Sequence, residues 1–385
     1  MNLRLFFDRL TNEQVATYVA QNGLAKVVDF HLDTLPNWVE ADVAFFTVNE
    51  YRGNPTNQPD EEFGLDQIRA AFYQLSNFSK SIKLIDLGHM RLGESLTDTN
   101  MRLAEVCELL ISQNTLPIII GGSHDLDVGQ FLAYQHMDKL ISVVNVDARI
   151  DLMAPESHPA QQHVHQILTH HPNYLFDYNH LAYQRYLNPP KSLETLRSLN
   201  LEAKSTGEIR GKLLETEPIV RMGDMLSFDL SALKKADSNH PLSSPFGLSG
   251  EAACQLCWYA GLNEKMTSFG IYEYNASLDT ESHTAAIVGI MVWYFIEGFC
   301  HRKAEYSFKS NFHIKYHVPM NNSEQVLVFY KSKVTEKWWL EVGDPTKPHA
   351  EFGRKIIIPC SYADYETANR GDLPERWIKA QDKIG

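Results

Sequence analysis

Short apolar runs alternate with amphipathic stretches through the first three hundred residues. Runs rich in β-branched residues predict strands within residues 42–48, 82–87, 117–120, 141–146, 219–228 and 266–271. Apolar positions at helical spacing predict helices within residues 65–75, 97–112, 125–136, 251–260 and 281–300. Strands that alternate with helices are typical of a doubly wound, mostly parallel sheet with a helical layer on each face. The predicted fold class is therefore a three-layer α/β protein.

The pattern changes after about residue 303. Antiparallel strands are predicted around Tyr306 and Phe308 and within residues 325–330 and 338–342, and a closing helix is predicted near Trp377. We therefore expect two domains, an α/β domain over residues 1–302 and a β-rich C-terminal extension over residues 303–385 that packs on it.

The composition and charge are those of a soluble globular protein. Hydrophobic residues make up 44% of the chain and charged residues 22%. The net charge of −13 argues against nucleic acid and against an anionic membrane surface as partners. The longest apolar run, from Ala285 to Ile296, is too short to span a bilayer and predicts a buried helix.

The cysteines indicate a reducing compartment, because five is an odd and low number for a chain of this length. The N-terminal apolar segment contains charged residues and does not fit a secretory signal. We therefore expect a cytoplasmic protein. Cys254 and Cys257 share a predicted helix with no second pair, which favours packing over a redox or metal role. Trp338 and Trp339 indicate a packing anchor or a subunit contact.

Polar side chains follow four of the predicted strands. In chain order these are His124 after Gly121-Gly122-Ser123, then Asp147, Arg149 and Asp151, then Asp229 and Ser231, and finally Glu273. If the strand before Asp147 runs on, the side chains of Asp147, Arg149 and Asp151 point to one face. Ligands of parallel sheets bind at the carboxyl ends of the strands. One imidazole with several carboxylates suits a hard divalent cation, Mn²⁺ before Mg²⁺ or Zn²⁺. The alternative is a structural network of Arg149 with its neighbouring aspartates, which needs no metal.

The same motifs resemble a known family. The order GGSHDL, NVDARIDL, SFDLSAL, GLSGEAACQLCWYAG and YEYN over residues 80–300 is similar to the ureohydrolases (arginase, agmatinase and formimidoylglutamase), and most similar to the formimidoylglutamase-like branch. The resemblance implies an arginase-like fold. It also implies hydrolysis of a C–N bond in a linear amidine, of the formiminoglutamate, arginine or agmatine type, through a metal-activated water.

The resemblance also implies a set of site residues. One metal ion would be bound by four side chains, those of His124, Asp147, Asp151 and Asp229. A second ion in the family shares two of these aspartates and has two ligands of its own, and these positions are Arg149 and Ser231 here. Arginine stays protonated and cannot act as a ligand. The implied cofactor is therefore one Mn²⁺ ion, or no metal at all.

Further roles follow from the same resemblance. Asp151 and Glu273 would be catalytic, and Glu273 would also bind the cationic nitrogen group of the substrate. We hypothesise that the Arg149 guanidinium occupies the space of the missing second metal, paired with Asp147 and Asp229. The proton-shuttle histidine of the family has no single match. His158, His163 and His165 are candidates for this role by their place in the chain; the alternative is that the histidine-rich segment, residues 158–171, is a solvated loop.

Two classes of function remain open from the sequence. The first is a C–N hydrolase with one metal ion and a small-molecule amidine or guanidino substrate. The second is a catalytically inactive relative in which Arg149 closes the site and the protein serves as a binding component or in a homo-oligomer. The Arg149 and Ser231 replacements favour the second hypothesis, whereas the four surviving ligands and Glu273 favour the first.

Overall fold

A sheet of ten strands runs through the described part of the chain. The computed structural model describes residues 3–21, 23–54, 56, 64–137, 139–153, 157–306, 308, 311–320, 325–343 and 356–384. The strands of this sheet are β1 (Phe7–Asp8), β2 (Asp29–Phe30), β3 (Val43–Val48), β4 (Leu84–Met90), β5 (Leu116–Gly121), β6 (Ile141–Val146), β7 (Leu175–Tyr183), β8 (Glu202–Ser205), β9 (Met225–Asp229) and β10 (Ser268–Tyr272). Their order is β1-β4-β3-β5-β10-β9-β6-β7-β8, with β2 beside β4. The β1–β4 pair is antiparallel and the others are parallel.

The central strands are buried on both faces. Every residue of β3, β5, β6, β9 and β10 is buried, which explains why these strands appear in the sequence as continuous apolar runs. Successive side chains of β5 enter different cores, because Ile118 and Ile120 belong to one hydrophobic cluster and Ile119 to the other. The sheet therefore separates two apolar layers.

Helices cover both faces of the sheet. Residues of α1 (Asn12–Ala20), α2 (Asp66–Tyr73), α7 (Thr206–Gly211), α8 (Glu217–Met222), α9 (Gly250–Leu262) and α10 (His283–Cys300) contribute to the first cluster. Residues of α3 (Leu96–Ser112), α4 (Leu126–Leu132), α5 (His163–Leu168) and α6 (Pro190–Ser198) contribute to the second. The predicted three-layer α/β fold is confirmed.

Helix α10 is the most apolar helix of the fold's core. The segment Thr280–Cys300 is long and apolar enough to cross a membrane by length and composition alone. In the structure, α10 packs against α9 and α2 and its apolar side chains join the first cluster. The approach to α9 is close, since a Cβ on Gly261 would lie 2.0 Å from the carbonyl oxygen of Phe295. The helix is thus packed as a core element. Cys254 and Cys257 of α9 also lie in this cluster, as the packing interpretation predicted.

A second, antiparallel sheet lies in the C-terminal part. Its strands are β11 (His313–Pro319), β12 (Val326–Ser332), β13 (Trp338–Val342) and β14 (Ile356–Cys360), and they pair in chain order. Two helices follow, α11 (Tyr362–Asn369) and α12 (Glu375–Ile384). The strand predicted around Tyr306 and Phe308 is wrong. These aromatic rings instead pack edge-to-face on Trp339, so their spacing reflects packing and not a strand.

The C-terminal sheet is anchored on the α/β core by a buried arginine. Arg221 of α8 donates hydrogen bonds to the carbonyl oxygens of Trp338 (3.0 Å) and Cys360 (3.2 Å). Its guanidinium lies over the Trp339 ring at 4.5 Å from the centroid. Trp339 is fully buried. It acts as a packing anchor, one of the two roles that the sequence left open.

Candidate metal centre

The four strands that carry the predicted site residues are neighbours in the sheet. They lie in the order β5-β10-β9-β6, all parallel, so their carboxyl ends meet at one edge. This edge holds His124, Glu273, Asp229 and Asp147, and each of these side chains is buried. The topology thus brings residues together that are up to 149 positions apart, as in the bond from the His124 amide to Glu273.

His124 forms the centre of this edge. Its Nδ1 lies 3.0 Å from Oδ2 of Asp229 and 3.4 Å from Oδ2 of Asp147. On the other side of the ring, Nε2 lies 2.9 Å from the Ser227 hydroxyl. Burial would lower the pKa of His124, but the carboxylates of Asp147 and Asp229 raise it well above its usual value. In turn, although burial opposes it, His124 lowers the pKa of Asp229.

Asp147 to Asp151 form a turn after β6 and do not extend the strand. β6 ends at Val146, so the alternation expected from a longer strand is wrong. Asp147 and Asp151 are nevertheless both buried, whereas Arg149 is only half-buried. The turn is held because Oδ1 of Asp147 accepts bonds from the Arg149 amide (2.9 Å) and the Ser231 hydroxyl (3.1 Å). Burial, followed by the charges of Asp229 and Asp151, raises the pKa of Asp147.

The predicted ion pairs of Arg149 with Asp147 and Asp229 are absent among the described residues. Within the described ranges, no ion pair joins Arg149 to Asp147 or Asp229, and its buried Nε has no hydrogen-bond partner. The predicted pairing is therefore corrected. The two aspartates face other groups instead: their Oδ2 atoms lie next to Nδ1 of His124, and Oδ1 of Asp147 accepts a hydrogen bond from the Ser231 hydroxyl.

Four potential ligands form a tight buried cluster. One ligand atom each from His124, Asp147, Asp151 and His163 lies within 4.8 Å of the others. Three of these residues were predicted as ligands, and the fourth, His163, was not. Asp229, the remaining predicted ligand, approaches the same group through His124.

The sequence offered His163 only as one of three proton-shuttle candidates and not as a metal ligand, because the segment around it was interpreted as a solvated loop. His158 and His165 are indeed exposed, but His163 is fully buried as the first residue of α5. A signal was present in the sequence: Val164 and Ile167 are apolar at helical spacing and mark the buried side of a short helix. Burial would lower the pKa of His163, but the nearby charge of Asp127 raises it to about 9.

Glu273 follows β10 with a strained backbone. Its φ of 70° lies in the left-handed region, which is uncommon for a residue with a side chain and is found at functional sites. The carboxylate accepts bonds from the His124 amide (2.9 Å) and from Nδ2 of Asn54 (2.8 Å), and Nε2 of His240 lies 3.4 Å away. His240 is also buried, and the sequence did not single it out as a site residue. It lies in the loop between β9 and α9 without a periodic pattern around it.

The donor set fits a divalent cation. Nδ1 of His124, Oδ2 of Asp147 and Nε2 of His163 are buried, and none has a well-aligned hydrogen bond to another described residue. Buried polar atoms are almost always satisfied, so a group of unsatisfied ones that converge indicates a site able to bind a cation. Imidazole nitrogen with carboxylate oxygen is a donor combination for Mn²⁺ and Zn²⁺.

Fold and site together define an α/β protein with a candidate metal centre at the carboxyl edge of its parallel sheet. The model of the arginase family matches residues 41–297, which is more than half of the chain. The chain therefore belongs to the arginase family.

Individual relatives agree with this assignment. A formimidoylglutamase of Staphylococcus aureus is 25% identical over 246 residues, which are 61% of this chain and 78% of the relative. Among solved structures, the formiminoglutamase of Trypanosoma cruzi with Mn²⁺ is similar at a TM-score of 0.64 and 20% identity, over 70% of this chain and 97% of that one. The formimidoylglutamase of Bacillus subtilis is similar at a TM-score of 0.65 and 17% identity, over 73% and 92% of the two chains. At this identity the structural likeness shows a shared fold.

Proposed function

We propose that this chain is a formimidoylglutamase-like hydrolase that cleaves a C–N bond of a linear amidine at a site for one divalent ion. The observation that carries the proposal is the buried convergence of His124, Asp147 and Asp151, with Asp229 on the same histidine. Similarity to formimidoylglutamases supports the substrate class. Among the candidate substrates, formiminoglutamate is therefore favoured over arginine and agmatine.

Four residues would hold the ion: His124, Asp147, Asp151 and Asp229. Mn²⁺ is the proposed metal, in view of the T. cruzi structure with Mn²⁺ and the carboxylate-rich donor set. A bound divalent ion supplies a water of lowered pKa, which is the nucleophile needed for amidine hydrolysis at neutral pH.

One ion is proposed because Arg149 and Ser231 do not provide ligands for a second ion. Arg149 cannot deprotonate to coordinate a metal. Ser231 presents a neutral hydroxyl that donates a hydrogen bond to Asp147. These two residues therefore supply neither an imidazole nor a carboxylate on that side of Asp147.

Glu273 is proposed to bind the cationic nitrogen group of the substrate. Its carboxylate is held at the end of β10 by the His124 amide and points toward Asn54 and His240. An amidinium is a planar donor that matches a carboxylate. The substrate's amidinium would displace the Asn54 amide from the Glu273 carboxylate. Asn54 and His240 are therefore placed to control access to Glu273. Asp151 is the remaining proposed ligand of the ion, and we propose that it acts together with Glu273 in catalysis.

The alternative function is that of a non-catalytic family member. It is favoured by the Arg149 and Ser231 replacements and by the engagement of the Glu273 carboxylate by other groups of the protein. In this case the site would serve binding or assembly and would show no turnover.

Assays of the Mn²⁺-loaded protein on formiminoglutamate, arginine and agmatine test the proposal. We expect hydrolysis of formiminoglutamate that is lost in Glu273→Gln and kept in Glu281→Gln, because Glu281 is exposed. A protein that takes up Mn²⁺ but releases no product from any of the three substrates would replace the proposal by the non-catalytic alternative.

A further inference from the structure

His163 lies against the proposed metal ligands although it belongs to a different segment. Its ring is fully buried and tilted on the ring of His124, with centroids 4.1 Å apart. Its Nε2 lies 3.5 Å from Oδ2 of Asp151. A histidine in this position is close enough to share an ion with both residues.

The two imidazoles are oriented by one carboxylate. Nδ1 of His163 lies 2.8 Å from Oδ2 of Asp127. The same oxygen accepts a bond of 3.1 Å from the Ser227 hydroxyl, which lies 2.9 Å from Nε2 of His124. Asp127 thus fixes one nitrogen of each ring, directly for His163 and through Ser227 for His124. This is the arrangement expected for metal-binding histidines, whose second nitrogen is usually held by a carboxylate or another polar group.

The opposite nitrogens face the cluster. Nδ1 of His124 and Nε2 of His163 are buried and have no well-aligned hydrogen bond among the residues that the structure describes. Together with one oxygen each from Asp147 and Asp151 they lie within 4.8 Å of one another. Two atoms that each lie about 2.1 Å from an ion are at most about 4.2 Å apart. Shifts of a few tenths of an ångström would therefore close the cluster around one ion.

We propose that His163 is a direct ligand of the ion, so that the centre has two imidazole nitrogens in addition to aspartate oxygens. The inference rests on the proposed metal site and adds to it. Arg149 and Ser231 supply no imidazole or carboxylate ligand on one side of Asp147, whereas His163 supplies an imidazole on the side of Asp151. A second imidazole also makes the site more suitable for Co²⁺ and Zn²⁺ than a site with one imidazole.

Pulsed EPR of the full-length protein loaded with Mn²⁺ counts the nitrogen atoms bound to the ion. We expect two in the native protein and one in His163→Gln, with an affinity at least about tenfold weaker, by analogy with the loss of an orienting group. Asp127→Asn keeps both rings and should weaken binding by about 10–100-fold. His165→Gln, an exposed residue two positions away, is the matched control and should change neither result.

The outcomes separate this inference from the proposed function. Native protein that binds Mn²⁺ through one nitrogen overturns the role of His163 and leaves the proposed metal site standing. Native protein that binds no Mn²⁺ overturns both. The nitrogen count of the native protein decides the matter even if His163→Gln does not fold.

Discussion

An imidazole at position 149 together with a carboxylate at position 231 should give the protein a second metal ion. The variant Arg149→His with Ser231→Asp introduces an imidazole and a carboxylate beside Asp147. The Ser231 hydroxyl already lies 3.1 Å from Oδ1 of Asp147 and the Arg149 amide 2.9 Å from it. New side chains at these positions therefore start next to a proposed ligand, Asp147.

The magnitude follows from charge and mass action. Without metal, the new carboxylate adds to a site where the pKa of Asp147 is already raised by burial and by its acidic neighbours. Two like charges about 4 Å apart repel by about 4 kcal/mol at an effective dielectric constant of about 20, so the metal-free variant should be less stable. At free Mn²⁺ of about 100 times Kd, each ion stabilises by about 2.7 kcal/mol. For a chain of 385 residues this raises Tm by about 3 °C per ion.

Metal content and thermal unfolding with and without Mn²⁺ are the assays. We expect two ions per chain and a rise in Tm of about 7 °C in the double variant, against one ion and about 3 °C in the native protein. The variant Arg149→His with Ser231→Ala lacks the carboxylate and is the matched control, expected to keep one ion. A double variant that folds but stays at one ion or none would refute the reasoning about positions 149 and 231.

Two further predictions concern the scaffold. Arg69 and Asp86 form an ion pair of 2.7 Å with both side chains fully buried. Arg69→Met leaves the buried Asp86 carboxylate without a cation and should cost about 3–5 kcal/mol in urea unfolding. The exposed Arg9→Met is the control at less than about 1 kcal/mol, and equal losses would contradict the prediction. Burial would raise the pKa of Glu202, but the two lysines bonded to this carboxylate lower it to about 2. This gives stability that is present above the unfolded pKa of about 4.3 and is lost as the pH falls toward 2. Lys379→Met, which removes one of these lysines, should therefore reduce the acid dependence of unfolding between these values, and an unchanged acid transition would refute the assignment.

Local sequence patterns predicted most of the fold. The apolar runs of β5 and β6 appear in the structure as predicted, and Thr11 and Gln14 form the capping box that their residue types favour at the start of α1. These features depend on neighbouring residues, so the sequence contains them directly. Tyr306 and Phe308 were misassigned because their alternation arises from contacts with a distant tryptophan.

The site was predictable only in part for the same reason. His124 and Asp147 follow recognisable strands, and a parallel sheet necessarily brings such strand ends to one edge. His163 reaches that edge from a short helix through its bond to Asp127, 36 positions away. The pairing of Arg149 with Asp147 and Asp229 was wrong because these aspartates face His124 and Ser231 instead. Both outcomes depend on competition among long-range contacts, which periodicity does not encode.

The metal content of the purified native protein tests the proposed single-ion site. After incubation with Mn²⁺ and removal of free ions, we expect one ion per chain, lost in His124→Ala and kept in His136→Ala, where the histidine is exposed. Native protein with two ions, or with none and an unchanged Tm, would contradict a single-ion centre at His124.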